Sequence, residues 1–159
     1  MAYDTTTVAV ERSQSEIRRL LTKHGADRFE FGEAVDDEGR RWAAIGFKLN
    51  ARAVRIKVPH KDRDETAMRR KLTRARSKTL DDLRVETDEQ EAKRIWRVLA
   101  WNLKARLEAV EEQVETFEEA FLAHLLDERT GETIYEQLVR TGTVELGGPL
   151  VPLLEAGSS

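Results

Sequence analysis

The chain has 159 residues, no cysteine, 40% hydrophobic and 36% charged residues, and a formal net charge of −3. This is the profile of one heavily charged globular domain with a modest core. The lack of cysteine excludes a disulfide framework, thiolate catalysis and Cys-based zinc sites. No run reaches the roughly 18 apolar residues of a membrane span, and the N-terminus lacks the charged and apolar regions of a signal peptide. A cytoplasmic location without membrane contact is expected. The mild net charge conceals a segregation: residues 1–39 carry −4, residues 40–78 carry +11, and residues 79–159 carry −10.

Residues 5–10 are a short β-branched run, with Val8 and Val10 on one face, and predict a strand. Ser13 and Glu16 are spaced as a capping box, and Ile17, Leu20, Leu21 and His24 share one helical stripe. They predict a helix over 13–24 that Gly25 terminates. Residues 28–35, 42–49 and 53–58 alternate as strands, with Ala43, Ile45, Phe47 and Leu49 on one face of the second and Val54, Ile56 and Val58 on one face of the third. A turn at 36–39 and a tight Asn50-Ala51 turn join them. The expected fold is α+β: a β-α-β-β-β antiparallel sheet with one covering helix over residues 1–59. A basic connector (60–87) follows, then a long amphipathic helix plus a short helix (88–156) packed on the head, all in one structural domain.

The connector is expected to be a mobile loop or a marginal helix, because residues 68–78 carry many charges and little apolar periodicity. Residues 88–126 predict one continuous helix. Ile95, Leu99, Leu103, Leu107, Val110, Val114, Phe117, Phe121 and Leu125 form its stripe, and Trp96 and Trp101 widen it. At 1.5 Å per residue it would span about 58 Å, too long for a compact domain of this size. Such a helix either bends or projects into a homo-oligomer or protein partner. A turn at 127–131, a short helix at 133–141, a break at 147–149 and an apolar tail at 150–154 complete the chain.

Catalysis has little support. His24, His60 and His124 lack metal spacing, and His24 and His124 sit on or beside apolar stripes, where packed histidines are commoner than ligands. There is no Gly-rich phosphate loop and no nucleophile elbow, so neither an enzyme nor a cofactor is expected. Asp62, Asp64 and Glu65 beside His60 and Lys61 resemble acids that hold magnesium over a phosphate. Turn chemistry and helix capping explain the same residues more simply.

Nucleic-acid binding is the better-supported use of the charge pattern, with unpaired DNA strands the expected target. Lys48, Arg55 and Lys57 lie on one sheet face with Trp42, which offers a surface for base stacking. Arg69, Arg70, Lys71, Arg74, Arg76 and Lys78 continue the positive field, and neutralising phosphates releases counterions. Two alternatives compete. The acids of residues 108–119 can cover the basic face, or the long helix can lie on that face and make Trp42 core. A protein-interaction module acting through the acidic or apolar side of the long helix is the other functional class.

Several stretches carry a resemblance. These are His24-Gly25-Ala26-Asp27-Arg28-Phe29, Ile45-Gly46-Phe47, and Ala53-Val54-Arg55-Ile56-Lys57-Val58-Pro59. In the long helix they are Trp96-Arg97-Val98-Leu99-Ala100, Leu103-Lys104-Ala105-Arg106-Leu107-Glu108-Ala109-Val110, and Thr116-Phe117-Glu118-Glu119-Ala120-Phe121-Leu122-Ala123-His124. Over roughly residues 8–138 the chain resembles a family of small, largely uncharacterised bacteriophage and prophage proteins, some encoded among DNA replication and recombination genes. Where many relatives have a Pro-Asp-Gly turn, this chain has Asp127-Glu128-Arg129-Thr130-Gly131. The resemblance implies an accessory role in the host cytoplasm, in DNA metabolism or host takeover, and assigns no catalytic residue.

Overall fold

The structure, a computed structural model, describes residues 2–74 and 77–142, with side chains from residue 7 onward. Its elements run α1 (Ala2–Lys23), β1 (Arg28–Val35), β2 (Arg41–Leu49), β3 (Arg52–Pro59), α2 (Glu65–Arg74), α3 (Leu80–Glu111), α4 (Phe117–Phe121), a 3₁₀ turn (Leu122–His124), β4 (Leu126–Asp127), β5 (Glu132–Thr133) and α5 (Ile134–Thr141). The α+β class is as expected. Strands β1, β2 and β3 form one antiparallel sheet in sequence order. The predicted tail at 150–154 lies outside the described residues.

The predicted strand at 5–10 is instead the first half of α1. Val10, Ile17 and Leu21 lie seven and four residues apart, so the buried stripe of the helix extends back through Val10, which packs against the core. Once Ile17 and Leu21 have anchored the helix, adding residues is cheap, and this overrides the β preference of the Thr/Val run. Ser13 therefore lies inside a helix and caps nothing. The predicted stop does hold: Gly25 sits at φ +85. The Ala26 amide donates to the Leu21 carbonyl and the Gly25 amide to that of Thr22, the pairing of a Schellman end.

The sheet register sorts residues by face. Phe31, Ile45 and Ile56 align on the inner face, as do Phe29, Phe47 and Val54. Helices α1 and α3 cover that face, and Ile17, Leu21, Ile45, Ile95, Leu99 and Leu103 are essentially inaccessible within one cluster. Trp96 is buried there too, edge-on to Phe31 at 5.6 Å, and its indole Nε1 donates to Glu33.

The predicted 88–126 helix is corrected at both ends. It starts at Leu80, where Thr79 and Asp82 form a reciprocal capping box. It ends at Glu111, where Gln113 turns left-handed at φ 59 and the Val114 amide bonds the Ala109 carbonyl. A second capping box, Thr116 with Glu119, starts α4. The corner turns Phe117 and Phe121 back onto the sheet, with Phe121 edge-on to Phe47 at 5.6 Å. Trp101 is also corrected, since it is 60% exposed and lies under the Arg97 guanidinium. The stripe bends as one alternative expected, with Ile95, Leu99, Leu103, Leu107, Phe117, Phe121 and Leu125 in the core of this chain and Val114 at the corner 75% exposed.

The β2–β3 turn places both Asn50 and Ala51 at positive φ, 51 and 59. A side chain with a Cβ is strained there. Ala51→Gly should therefore raise stability by about 0.5–1 kcal/mol despite glycine's greater freedom when unfolded, as read from the denaturant midpoint.

Candidate nucleic-acid interface

Four of the predicted site residues share the outer sheet face. The register places Lys57 opposite Ala44, Arg55 opposite Gly46 and Lys48 opposite Ala53, with Trp42 on the same side. Helix α3 lies on the other face, so Trp42 is not core. Acids from the C-terminal third meet these cations. Arg55 Nη2 donates to Glu136 at 2.7 Å and Lys48 Nζ reaches Glu128 at 3.4 Å, while Arg52, of inner-face parity at the start of β3, approaches Glu118 at 3.8 Å. Burial pushes the Glu136 carboxyl up, but the Thr133 amide and Arg55 more than reverse this and hold it below the usual glutamate value. Lys57 Nζ covers the Trp42 ring at 4.7 Å, and Trp42 Nε1 points to Asp36. One face of the indole is thus occupied by a cation, and Trp42 is a poorer stacking platform than expected.

The second cluster is arranged differently. The connector, expected to be a mobile loop or a marginal helix, contains α2, a ten-residue helix. The Asp64 side chain accepts the Ala67 amide and caps it, which is the capping role anticipated for the acids near His60. Met68 is buried, within 3.5 Å of Thr87 on α3, and Arg84 of α3 grips Glu65. With one face held, the remaining faces carry Arg69, Arg70, Lys71 and Arg74, all exposed. None of the four makes an ion pair or side-chain hydrogen bond with another described residue. Lys78 is paired with Glu86 at 2.6 Å. Arg76 lies outside the described residues.

Distance along α3 separates α2 from the acids that follow Leu107. Met68 packs near Thr87, whereas the acids from Glu108 onward begin about 20 residues later, roughly 30 Å along the axis. They reach the starts of the strands, including Arg52, and cannot reach α2. The acids nearer α2 are engaged elsewhere, Asp81 with Arg84, Glu86 with Lys78 and Asp88 with Arg63, and among the described residues none pairs with Arg69, Arg70, Lys71 or Arg74.

A polar joint that sequence reasoning missed sets α2 in place. Asp88 accepts from Arg63 at 2.5 and 2.9 Å and lies 3.3 Å from Arg41. Glu91 accepts the Lys61 amide at 2.7 Å and is itself held by Arg94. The Arg63 bond is the main reason the Asp88 carboxyl sits below its usual range. Burial, reinforced by Arg41, pushes His60 below the usual histidine range. No local signal marks this joint, because Arg63 and Asp88 are 25 residues apart in sequence.

Among the described residues no cluster of His, Asp and Glu is placed to hold a metal, and no helix is long and apolar enough to cross a membrane. Comparison of the chain with protein-family models, with characterised proteins and with solved structures finds no match.

The Asp88 joint has a definite pH signature. A carboxyl whose folded pKa is depressed contributes stability above its unfolded pKa of about 3.9 and loses it as pH falls through the folded value. Asp88→Asn should cost about 1 kcal/mol at pH 7, given that both partners are partly solvated. The difference from the parent protein should shrink as pH falls from about 3.9 through the lower folded value, as followed by urea denaturation across pH.

Proposed function

We propose that this protein is a non-enzymatic accessory protein that binds nucleic acid through α2, in the replication or recombination setting implied by the phage resemblance. One observation carries the reading: Arg69, Arg70, Lys71 and Arg74 are exposed without acidic partners among the described residues, while the sheet cations are matched by acids or a ring. Leaving four cations unpaired on a ten-residue helix stores a local field that phosphates neutralise with release of counterions. The site moves away from Lys48, Arg55, Lys57 and Trp42, which serve the fold.

With four phosphate contacts, the slope of log affinity against log salt should be about −3. Combined Arg69→Glu, Arg70→Glu and Arg74→Glu should reduce binding at least about 100-fold in fluorescence anisotropy, the loss of three charge-assisted contacts. Its unfolding midpoint should stay near that of the parent, since all three side chains are exposed. Lys48→Ala should change affinity less than about threefold. Salt-insensitive or absent binding would remove the reading.

A second reading, a protein-interaction module, is favoured by α5 rather than by the long helix. Tyr135, Leu138 and Val139 are exposed at i, i+3 and i+4 spacing. On that reading a stoichiometric partner survives nuclease treatment in a pull-down and is lost in Leu138→Glu.

A further inference from the structure

Resting on the nucleic-acid reading of α2, we infer that the ligand is a duplex, held by the phosphates of both strands, rather than a single strand. The first ground is the angular spread of the cations. At 100° per residue, taking Met68 as zero, Arg69 stands near 100°, Arg70 near 200°, Arg74 near 240° and Lys71 near 300°. The four charges fan across about 200° of the helix, and the remaining sector holds Met68, buried against α3. A strand running along one side of α2 meets only part of this fan. A groove with phosphates on both walls meets Arg69 on one flank and Lys71 on the other.

The second ground is what α2 lacks. Single-strand binders combine a basic groove with aromatic rings on which bases stack. Among the described residues the large exposed aromatics are Trp101 and Tyr135. Trp101 lies fourteen residues beyond Thr87, about 20 Å along α3 from the contact with Met68, and already carries Arg97. Tyr135 is on α5, beside the β4–β5 hairpin. Trp42 has one face under Lys57. A ligand on α2 therefore meets charge alone. Charge alone favours the duplex, which has one phosphate per 1.7 Å of axis and releases more counterions per phosphate neutralised, about 0.9 against 0.7. The duplex is also rigid before binding, so fixed cations on a fixed helix order nothing further.

Anisotropy titrations of the full-length protein with a labelled 20-nucleotide DNA strand, the matching DNA duplex and the matching RNA duplex test this. Either duplex should bind at least tenfold tighter than the strand at about 100 mM salt, beyond the twofold that doubled phosphates supply, with a slope approaching −3.6. Arg69→Gln and Lys71→Gln should each weaken duplex binding several-fold, because they serve opposite walls. A strand that binds as tightly as both duplexes, or duplex binding indifferent to one of those two variants, overturns the inference and leaves the nucleic-acid reading standing. Binding to none of the three removes both.

Discussion

Everything in this protein depends on covering one face of a three-stranded sheet. Ile45, Ile56, Phe47 and Val54 form an apolar surface that a three-stranded sheet cannot hide by itself. Helices α1 and α3 close it, with Ile17, Leu21, Ile95, Leu99 and Leu103 all removed from water. Burying a large aliphatic side chain contributes about 1.5–3 kcal/mol, so this layer outweighs any surface ion pair in the molecule. The overlap fixes α3 against the sheet from Ile95 to Leu107 and leaves its first turns to other uses.

Those first turns carry α2. Leu83 and Met68 are buried but belong to no large cluster. The joint of Arg63, Arg41 and Asp88 sets the angle at which the chain leaves β3. A short, highly charged helix is marginal in isolation. Docking one face of it on a rigid helix orders the rest without covering it. The outcome is four cations held in fixed positions and exposed to solvent, an arrangement a mobile connector would not provide.

The segment after α3 brings Glu128 and Glu136 to the outer sheet face, where they answer Lys48 and Arg55, and Glu118 to Arg52 at the start of β3. Pairs of this kind are exposed and individually weak. Among the described residues Arg69, Arg70, Lys71 and Arg74 on α2 have no such partner.

Much of this was legible locally. Alternation marked β1, β2 and β3, Gly25 marked the end of α1, and the basic run marked α2 as unusual. Thr79 with Asp82 and Thr116 with Glu119 are capping boxes plainly written in the chain, and read as such they divide the predicted 88–126 helix correctly. The β-branched residues 5–10 misled because propensity is a weak local preference that a packed helical stripe overrides. What the chain by itself determined was the order of its elements, their apolar faces and the separation of its charges, since these depend on residue type and spacing alone. Only the tertiary structure decided which cations remain unpaired, because pairing depends on distance in space. Arg55 meets Glu136 across 81 residues, and Arg70 meets no acid among the described residues.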